Sequence, residues 1–379
     1  MINKVERIHS LDALRAIMMI LGIVLHSTET YVVQDNEPWP KDPLATHIFL
    51  DYLGDMIHLF RMPVFFLVAG FFGALLFHQK GAMGMIKNRV SRIVFPFVVF
   101  LIILSPIIVF ASSYSRAVFS GNGDALAIAM ATFSGWDTLI PRFTYHLWFL
   151  YYLALITFAS FLLALLFKKL PAITCKITRS FNWVMQKPIF RLFVFTSLTF
   201  LILLSIWRLS GGTPLGFKPD IKAFVYYFFF YSVGWALYNS KHLLDSIMQY
   251  DKLFSILAVV MFTLYFVLFD AIDNVIKGAI SAFVLWLFIL GITGLFIRYG
   301  SKHSTRMRYV SNSSYWVYLI HLPLTVVIPG LIAGWEWPAL VKFSVTLSIT
   351  SIICFVSYHY FVRGTFIGKF LNGRKYPTG

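Results

Sequence analysis

Apolar runs of about 20 residues follow one another along almost the whole 379-residue chain, with short polar segments between them. A helix needs about 20 predominantly apolar residues to cross the hydrocarbon core of a bilayer, so each run predicts one membrane-spanning helix. We therefore expect an all-α integral membrane protein, a single domain over residues 1–379 with no separate soluble domain. The ten predicted spans cover residues 11–33, 52–77, 93–113, 144–167, 192–209, 221–240, 253–270, 275–297, 313–333 and 340–362.

Composition and charge agree with a membrane location and indicate an orientation. Charged residues make up 13% of the chain, about half of the share found in soluble domains. With the N-terminus in the cytoplasm, 22 of the 32 Lys and Arg residues, including Lys4, Arg7, Arg374 and Lys375, fall on the cytoplasmic side and eight on the other. Cytoplasmic loops are enriched in Lys and Arg, so both termini are predicted to be cytoplasmic. The same enrichment explains the net charge of +16 without a nucleic acid partner.

The first predicted span carries a polar face. On a helix of about 100° per residue, Asp12, Arg15, Gly22 and His26 fall within an arc of about 80°. Charged groups are costly inside a membrane and normally face a cavity or a partner. Asp12 and Arg15 are spaced to form a structural ion pair. His26, about 16 Å further along the axis than Arg15, has the chemistry of a general base near neutral pH; the alternative is a hydrogen bond between helices.

The second predicted span also has its polar residues on one face. Asp51, Asp55, His58 and Arg61 follow one another at steps of four, three and three residues, the spacing of neighbours on a helix surface. Two adjacent helices with polar faces predict a solvated cavity between them. The alternative is a buried salt-bridge cluster of Asp55, His58 and Arg61, and the two interpretations are compatible.

Paired guanidiniums at the cytoplasmic end of the second and third spans are candidates for phosphate binding. Arg89 and Arg92 are three residues apart, close to Lys87. Arginine binds phosphate oxygens through two parallel hydrogen bonds, so such a pair suits a phosphorylated ligand. The alternative is ordinary anchoring at the cytoplasmic membrane surface.

Two further histidines lie at the edge of or within predicted spans. His146 and Trp148 begin the fourth span on the outer side, where an interfacial aromatic belt is the alternative. His321 lies inside the ninth span just before a proline, and Tyr315 lies near the cytoplasmic start of that span. These residues are candidates to line the same cavity as His26, or else to form hydrogen bonds between helices.

Several common catalytic classes leave no motif in this chain. There is no glycine-rich phosphate loop, no G-x-S-x-G elbow and no H-E-x-x-H pair. The two cysteines, Cys175 and Cys354, give neither a disulfide framework nor a metal-ligand cluster. We expect no permanently bound cofactor and no metal.

Five sequence blocks follow one another over nearly the whole chain. They are Arg15 followed by His26, RMPVFFLVAGFF (61–72), NRVSRIVFP (88–96), HLWFL (146–150) and SYWVYLIHLP (314–323). In this order they resemble the blocks of the acyltransferase 3 family of membrane O-acyltransferases. Within that family, IHLFRMPVFF (57–66) and YHLWFL look most like the branch that succinylates periplasmic glucans.

The resemblance implies a reaction and roles for the candidate residues. Family members of bacterial cytoplasmic membranes move an acyl group from cytoplasmic acyl-CoA, as co-substrate, to a hydroxyl of an extracytoplasmic glycan. His26 would then be the general base, and Arg15 would orient the donor or stabilise negative charge. The paired arginines would bind the phosphates of CoA. The candidate residues in the outer half of the membrane and in the ninth span would contact the acceptor or line the cavity. The donor-binding residues are Arg89 and Arg92; those on the acceptor side or lining the cavity are His58, Arg61, His146, Trp148, Tyr315 and His321.

Two other classes of protein compete with this interpretation. A multi-pass transporter or flippase of a glycan-linked or lipid-linked solute would also carry buried His and Arg residues, although no inverted repeat is visible in the chain. A non-enzymatic membrane scaffold or lipid sensor would not need imidazoles aligned along a helix face. Consumption of acyl-CoA with release of free thiol distinguishes the enzyme from both.

Overall fold

The computed structural model describes residues 9–35, 37–135 and 140–373, and its regular secondary structure within those ranges is entirely helical. Lys4, Arg7, Arg374 and Lys375, which contribute to the charge asymmetry, lie outside the described residues. The α-helices are α1 (His9–Thr28), α2 (Ile48–Arg89), α3 (Phe95–Phe119), α4 (Ala125–Ala131), α5 (Trp148–Lys168), α6 (Pro171–Met185), α7 (Pro188–Ile206), α8 (Ile221–Asn239), α9 (Asp251–Val267), α10 (Asn274–Gly300), α11 (Thr305–Leu331), α12 (Ala339–Ser357) and α13 (Phe366–Asn372).

Each of the ten predicted spans overlaps one of these helices, and the all-α membrane fold is confirmed. Within the described ranges, eight helical runs are long and apolar enough to cross a membrane. One of them, Ile48–Phe119, is 72 residues long and contains the second and third predicted spans. Gly81, with a φ of 72°, breaks the α-helical geometry inside it, and a π-helical turn follows at Val90–Val94. The number of membrane crossings and the orientation stay predictions.

Helix α1 lies at the centre of the bundle, where it packs against α2, α10, α11 and α12. Its close contact with α2 and α11 depends on Gly22. A Cβ at this position would lie 2.7 Å from Arg61 Nη1 and 3.3 Å from His321 Nε2. Small residues let helices approach closely in a membrane, and this one brings side chains from two neighbours against the α1 backbone.

The first predicted span was too long at its C-terminal end. Helix α1 ends at Thr28, and the amide of Tyr31 donates to the Thr28 carbonyl in a turn. The Thr28 hydroxyl donates to the Leu25 carbonyl within the last helical turn. The chain then folds back as a loop before α2 begins at Ile48, so residues 29–33 belong to this loop and not to the helix.

Candidate active site

The N-terminal half of α1 carries a cationic site. Arg15 Nη2 lies 3.2 Å from Asp12 Oδ1, which is the ion pair expected from their spacing. The Arg15 guanidinium also lies 5.4 Å from the centroid of the Phe72 ring in α2, and it interacts electrostatically with Arg89 at the end of α2. Because its side chain is 36% exposed, Arg15 is accessible to an anionic ligand.

The two arginines at the junction of α2 and α3 diverge. Arg89 Nε and Nη2 are buried and have no hydrogen-bond partner in the described part of the chain. Arg92 Nη1 instead donates to the carbonyl oxygens of Lys369, at 2.8 Å, and Phe370, at 2.7 Å, in α13. The π-helical turn starts between the two arginines at Val90. Its i→i+5 hydrogen bonds put more residues into one turn than an α-helix does, which shifts Arg92 relative to the helix face that Arg89 occupies. Two nitrogens of Arg89 are therefore without a hydrogen-bond partner, whereas the Arg92 guanidinium contacts α13.

A small buried cavity lies near the C-terminal end of α1, between α1, α2, α5 and α11. Its volume is about 20 Å³, room for about one water molecule. Residues that are far apart in the sequence meet here, and five of the sequence-predicted candidates are among them. The polar and aromatic lining residues are His26, Arg61, His146, Trp148, Tyr318 and His321.

Three imidazoles surround this cavity, with His321 in the middle. The centroid of the His321 ring lies 5.3 Å from that of His26 and 5.2 Å from that of His146. His146 precedes α5 in a short 3-10 turn, and the hydroxyl of Tyr318 donates to its carbonyl at 2.7 Å. Trp148, 5% exposed, completes the wall on the α5 side.

Backbone carbonyls fix the tautomers of two of the imidazoles. His321 Nδ1 lies 2.7 Å from the Tyr318 carbonyl and 3.2 Å from the Val317 carbonyl. His146 Nε2 lies 2.9 Å from the Leu319 carbonyl. Since a carbonyl oxygen only accepts, each of these ring nitrogens carries the proton and the other nitrogen presents a lone pair. His321 Nε2 and His146 Nδ1 are therefore hydrogen-bond acceptors.

Both lone pairs are buried without a hydrogen-bond partner. Within the described residues, two further atoms at the cavity, His26 Nδ1 and Arg61 Nε, are also buried without one. Leaving a buried polar atom unpaired costs about 1–3 kcal/mol, and such groups in a native structure indicate a functional site or a bound molecule. The set combines imidazole lone pairs with a guanidinium, so it fits a ligand that both donates and accepts hydrogen bonds, as a hydroxyl group does.

A tryptophan that no sequence pattern singled out covers His26. The indole ring of Trp39, in the loop between α1 and α2, stacks on the His26 imidazole with ring centroids 5.5 Å apart and planes inclined by 11°. Its Nε1 donates to Thr30 Oγ1 at 2.9 Å. Trp39 is 13 residues from His26 in a polar loop, and no periodicity connects the two.

The loop that carries Trp39 is fixed to the helices around it. Lys342 Nζ in α12 lies 2.9 Å from Asp42 Oδ2, and the side chains are only 2% and 3% exposed. The Asp51 carboxylate at the start of α2 accepts from the amides of Val33 and Gln34 at 2.8 and 2.9 Å. Burial raises the pKa of the Tyr31 hydroxyl. That hydroxyl lies 3.2 Å from Thr346 Oγ1 and ties the loop to α12.

Other predicted site residues lie outside the cavity. His58 is one turn away from Arg61, with its Nε2 3.2 Å from Thr213 Oγ1. Tyr315 does not line the cavity: its hydroxyl donates to the Arg92 carbonyl at 2.8 Å, and Tyr318 takes the position at the cavity. Asp55 is exposed. In the described structure no ion pair joins it to His58 or Arg61, so the alternative of a salt-bridge cluster is wrong.

The cationic site and the cavity lie on the same face of α1, separated by flexible apolar side chains. Arg15 and His26 are eleven residues apart, or about 16 Å along the helix. Met18, Met19, Met62 and other apolar residues fill the inner side of the cavity. Methionine has three rotatable bonds and adapts to changing shapes, so these side chains can move aside for an extended ligand that reaches from Arg15 towards His26.

Comparison with known proteins identifies the family. The model of the acyltransferase domain matches residues 8–359, most of the chain. Two curated relatives are the glucans biosynthesis proteins C of Escherichia coli strain K12 and of Escherichia coli O157:H7, each 25% identical, with the match covering 87% of this chain and 86% of the relative. No solved structure gives a significant match. The resemblance found in the sequence blocks is thus confirmed, and the chain belongs to the acyltransferase domain family as a multi-pass membrane acyltransferase.

Proposed function

We propose that this enzyme transfers an acyl group from cytoplasmic acyl-CoA to hydroxyl groups of an extracytoplasmic glycan. The observation that carries the proposal is the group of buried, unpartnered imidazole and guanidinium atoms in one cavity, on the same face of α1 as a cationic site. The names of the curated relatives make a glucan the first acceptor to test. The resemblance to the branch that succinylates periplasmic glucans makes succinyl the first acyl group.

The donor binds from the cytoplasmic side in this proposal. Arg89, with two unpartnered nitrogens, and the half-exposed Arg15 supply positive charge for the phosphates of CoA. The long pantetheine arm then extends along α1 past the methionines, which carries the thioester towards the cavity. Arg92 contributes by holding α13 in place, since its guanidinium is engaged by two carbonyls.

His26 acts as the general base. A sugar hydroxyl is a weak nucleophile at neutral pH, so its proton passes to His26 Nδ1 while its oxygen attacks the thioester carbonyl carbon. The resulting tetrahedral oxyanion accepts hydrogen bonds from Arg61, which is placed to stabilise charge that develops in the transition state. Collapse forms the ester and breaks the carbon–sulfur bond. The proton held by His26 then protonates the leaving thiolate of CoA.

His146 and His321 orient the acceptor. Their fixed lone pairs at Nδ1 and Nε2 accept hydrogen bonds from hydroxyls next to the reacting one, which selects a polyhydroxylated acceptor. Trp39 keeps the His26 ring in one plane and shields it from water. Because the cavity has room for about one water molecule in this conformation, side chains at its outer edge must move to admit a sugar.

Mass spectrometry of envelope glycans tests the proposal directly. A strain deleted for this protein is complemented with the wild type, with His26→Ala, or with His26→Gln, and membrane levels of the three proteins are matched by immunoblotting. The wild type should restore an ester whose mass increment identifies the acyl group, and neither variant should restore it. Ester formation at wild-type levels by His26→Ala would refute the base assignment.

A second measurement tests the acyltransferase activity and the identity of the general base separately. Purified wild-type protein should release free thiol from acyl-CoA only in the presence of the glycan acceptor. Thiol release that is undiminished by His26→Ala but abolished by His321→Ala would move the base to His321 and keep the acyltransferase. No thiol release with any succinyl or acetyl donor would overturn the proposed donor.

A further inference from the structure

Helix α6 connects two helices of spanning length. It begins three residues after α5 ends at Lys168 and ends three residues before α7 begins at Pro188, and both neighbours belong to runs that are long and apolar enough to cross a membrane. Three Cα–Cα steps reach at most about 11 Å, so both ends of α6 stay close to the ends of the two spans. A 15-residue helix is about 22 Å long. It cannot project into solvent with both ends held at this level, so it runs along the headgroup region.

A groove with a volume of about 810 Å³ separates α6 from the end of α5. Lys168 and Arg179 line it, and no Asp or Glu is among its lining residues. The segment 168–191 contains six Lys and Arg residues, and the chain has no acidic residue between Asp137 and Asp220. The groove is therefore strongly positive and lies at the level of the lipid phosphates.

The walls of the groove are held in place by hydrogen bonds. At the start of α6 the Thr174 hydroxyl lies 3.0 Å from the Phe167 carbonyl and 3.1 Å from the Leu170 carbonyl. At the other end the fully buried Arg191 donates to the Met185 carbonyl at 3.0 Å. The groove is a formed feature of the fold, because both ends of α6 are tied to the adjoining helices.

One polar atom in the groove lacks a partner. Asn182 Oδ1 is buried without a hydrogen bond in the described structure, and as an oxygen it needs a donor. Phe167 and Trp183 add apolar surface to the lining of the groove, which suits contact with an acyl chain. Trp183, 49% exposed, is of the type enriched at membrane interfaces.

We infer that this groove binds the headgroup of an anionic phospholipid that carries hydroxyl groups, as phosphatidylglycerol does. Lys168 and Arg179 bind the phosphate, and a glycerol hydroxyl donates to Asn182. A zwitterionic lipid would place an ammonium group among the cations of the segment, which disfavours it. A soluble phosphate would leave the exposed Trp183 side chain, which lines the groove, uncovered.

Native mass spectrometry of the full-length protein tests this inference. The protein is purified in detergent and titrated with phosphatidylglycerol or phosphatidylcholine of the same chain length. Phosphatidylglycerol should bind with clear preference. Each cation near a lipid phosphate contributes about fivefold to binding, so Lys168→Gln with Arg179→Gln should weaken phosphatidylglycerol binding by about 25-fold. Equal binding of the two lipids by the wild type would overturn the inference.

Matched variants distinguish a specific lipid site from nonspecific attraction by the positive charge of the protein. Lys80→Gln with Lys302→Gln removes two exposed cations outside the groove and should change binding less than twofold. An equal loss in this control would overturn the inference, because net charge alone would then explain binding. Asn182→Leu should weaken binding of phosphatidylglycerol but not of phosphatidic acid, whose headgroup has no glycerol hydroxyls. Equal losses for both lipids would overturn the Asn182 contact.

The competing occupant is the nucleotide part of acyl-CoA. In phosphatidylcholine micelles, the Lys168 and Arg179 double variant should bind acyl-CoA as the wild type does, measured by calorimetry with a non-hydrolysable thioether analogue. If the variant loses acyl-CoA binding and keeps phosphatidylglycerol binding, the groove belongs to the donor and the lipid inference is wrong. The inference stands independently of the roles of His26 and Arg61.

Discussion

Replacing Gly22 by alanine adds one methyl group at the point where α1, Arg61 and His321 meet. The new Cβ would lie 2.7 Å from Arg61 Nη1 and 3.3 Å from His321 Nε2. Ordinary contact needs about 3.5 Å, so the guanidinium must move by close to 1 Å. The cavity has only about 20 Å³ of free volume, so the movement cannot be absorbed without displacing a catalytic group.

The expected result is a loss of activity with little loss of stability. Alanine in place of glycine in a helix interior favours folding by about 1 kcal/mol, which offsets part of the overpacking cost of about 1–3 kcal/mol. A displacement of about 1 Å at a reacting centre costs roughly 100-fold in rate. We therefore expect Gly22→Ala to lower kcat by about 100-fold while the free energy of unfolding changes by less than about 2 kcal/mol.

The assay is acyl transfer by purified protein, with thermal unfolding measured on the same samples. Gly54→Ala is the matched control: it lies on the same α1–α2 contact, where a Cβ would be 3.0 Å from Thr28 Oγ1, but it does not line the cavity. This control should keep activity within about threefold of the wild type. A wild-type kcat for Gly22→Ala, or equal losses of activity in both variants, would contradict a role of Gly22 in positioning Arg61 and His321.

The contacts around the site give three further predictions. Trp39→Leu should lower kcat about tenfold and broaden the pH profile of kcat. Trp39→Phe retains a stacked ring and should keep most of the activity. Identical pH profiles of kcat for the two variants would argue against a positioning role of Trp39. Lys342→Met leaves the buried Asp42 carboxylate without its cation and should lower the free energy of unfolding by about 3–5 kcal/mol. The double variant that also carries Asp42→Leu should recover part of this stability. An unchanged Tm of Lys342→Met would contradict the prediction. Arg89→Gln should raise KM for acyl-CoA at least tenfold, while Arg92→Gln should lower Tm with a smaller change in KM. A larger rise in KM for Arg92→Gln than for Arg89→Gln would indicate that Arg92 binds the donor.

The sequence alone determined the helical architecture and the first polar face. Ten apolar runs predict ten helices because the hydrocarbon core requires that length, and each run overlaps a helix. The i, i+3 spacing of Asp12 and Arg15 placed them within reach of each other, as found at 3.2 Å. Helical periodicity also put His26 on the same face as Arg15, because backbone geometry within one helix is set locally.

Only the tertiary structure decided which side chains meet. The π-helical turn at Val90–Val94 sends Arg92 to α13, a rotation that α-helical spacing does not anticipate. A one-turn difference on α11 puts Tyr318 at the cavity in place of Tyr315. Trp39 reaches His26 because a buried ion pair and capping contacts fold its loop back. These contacts depend on how separate helices pack and how a loop is tied to them, and periodicity within a segment contains no information about either.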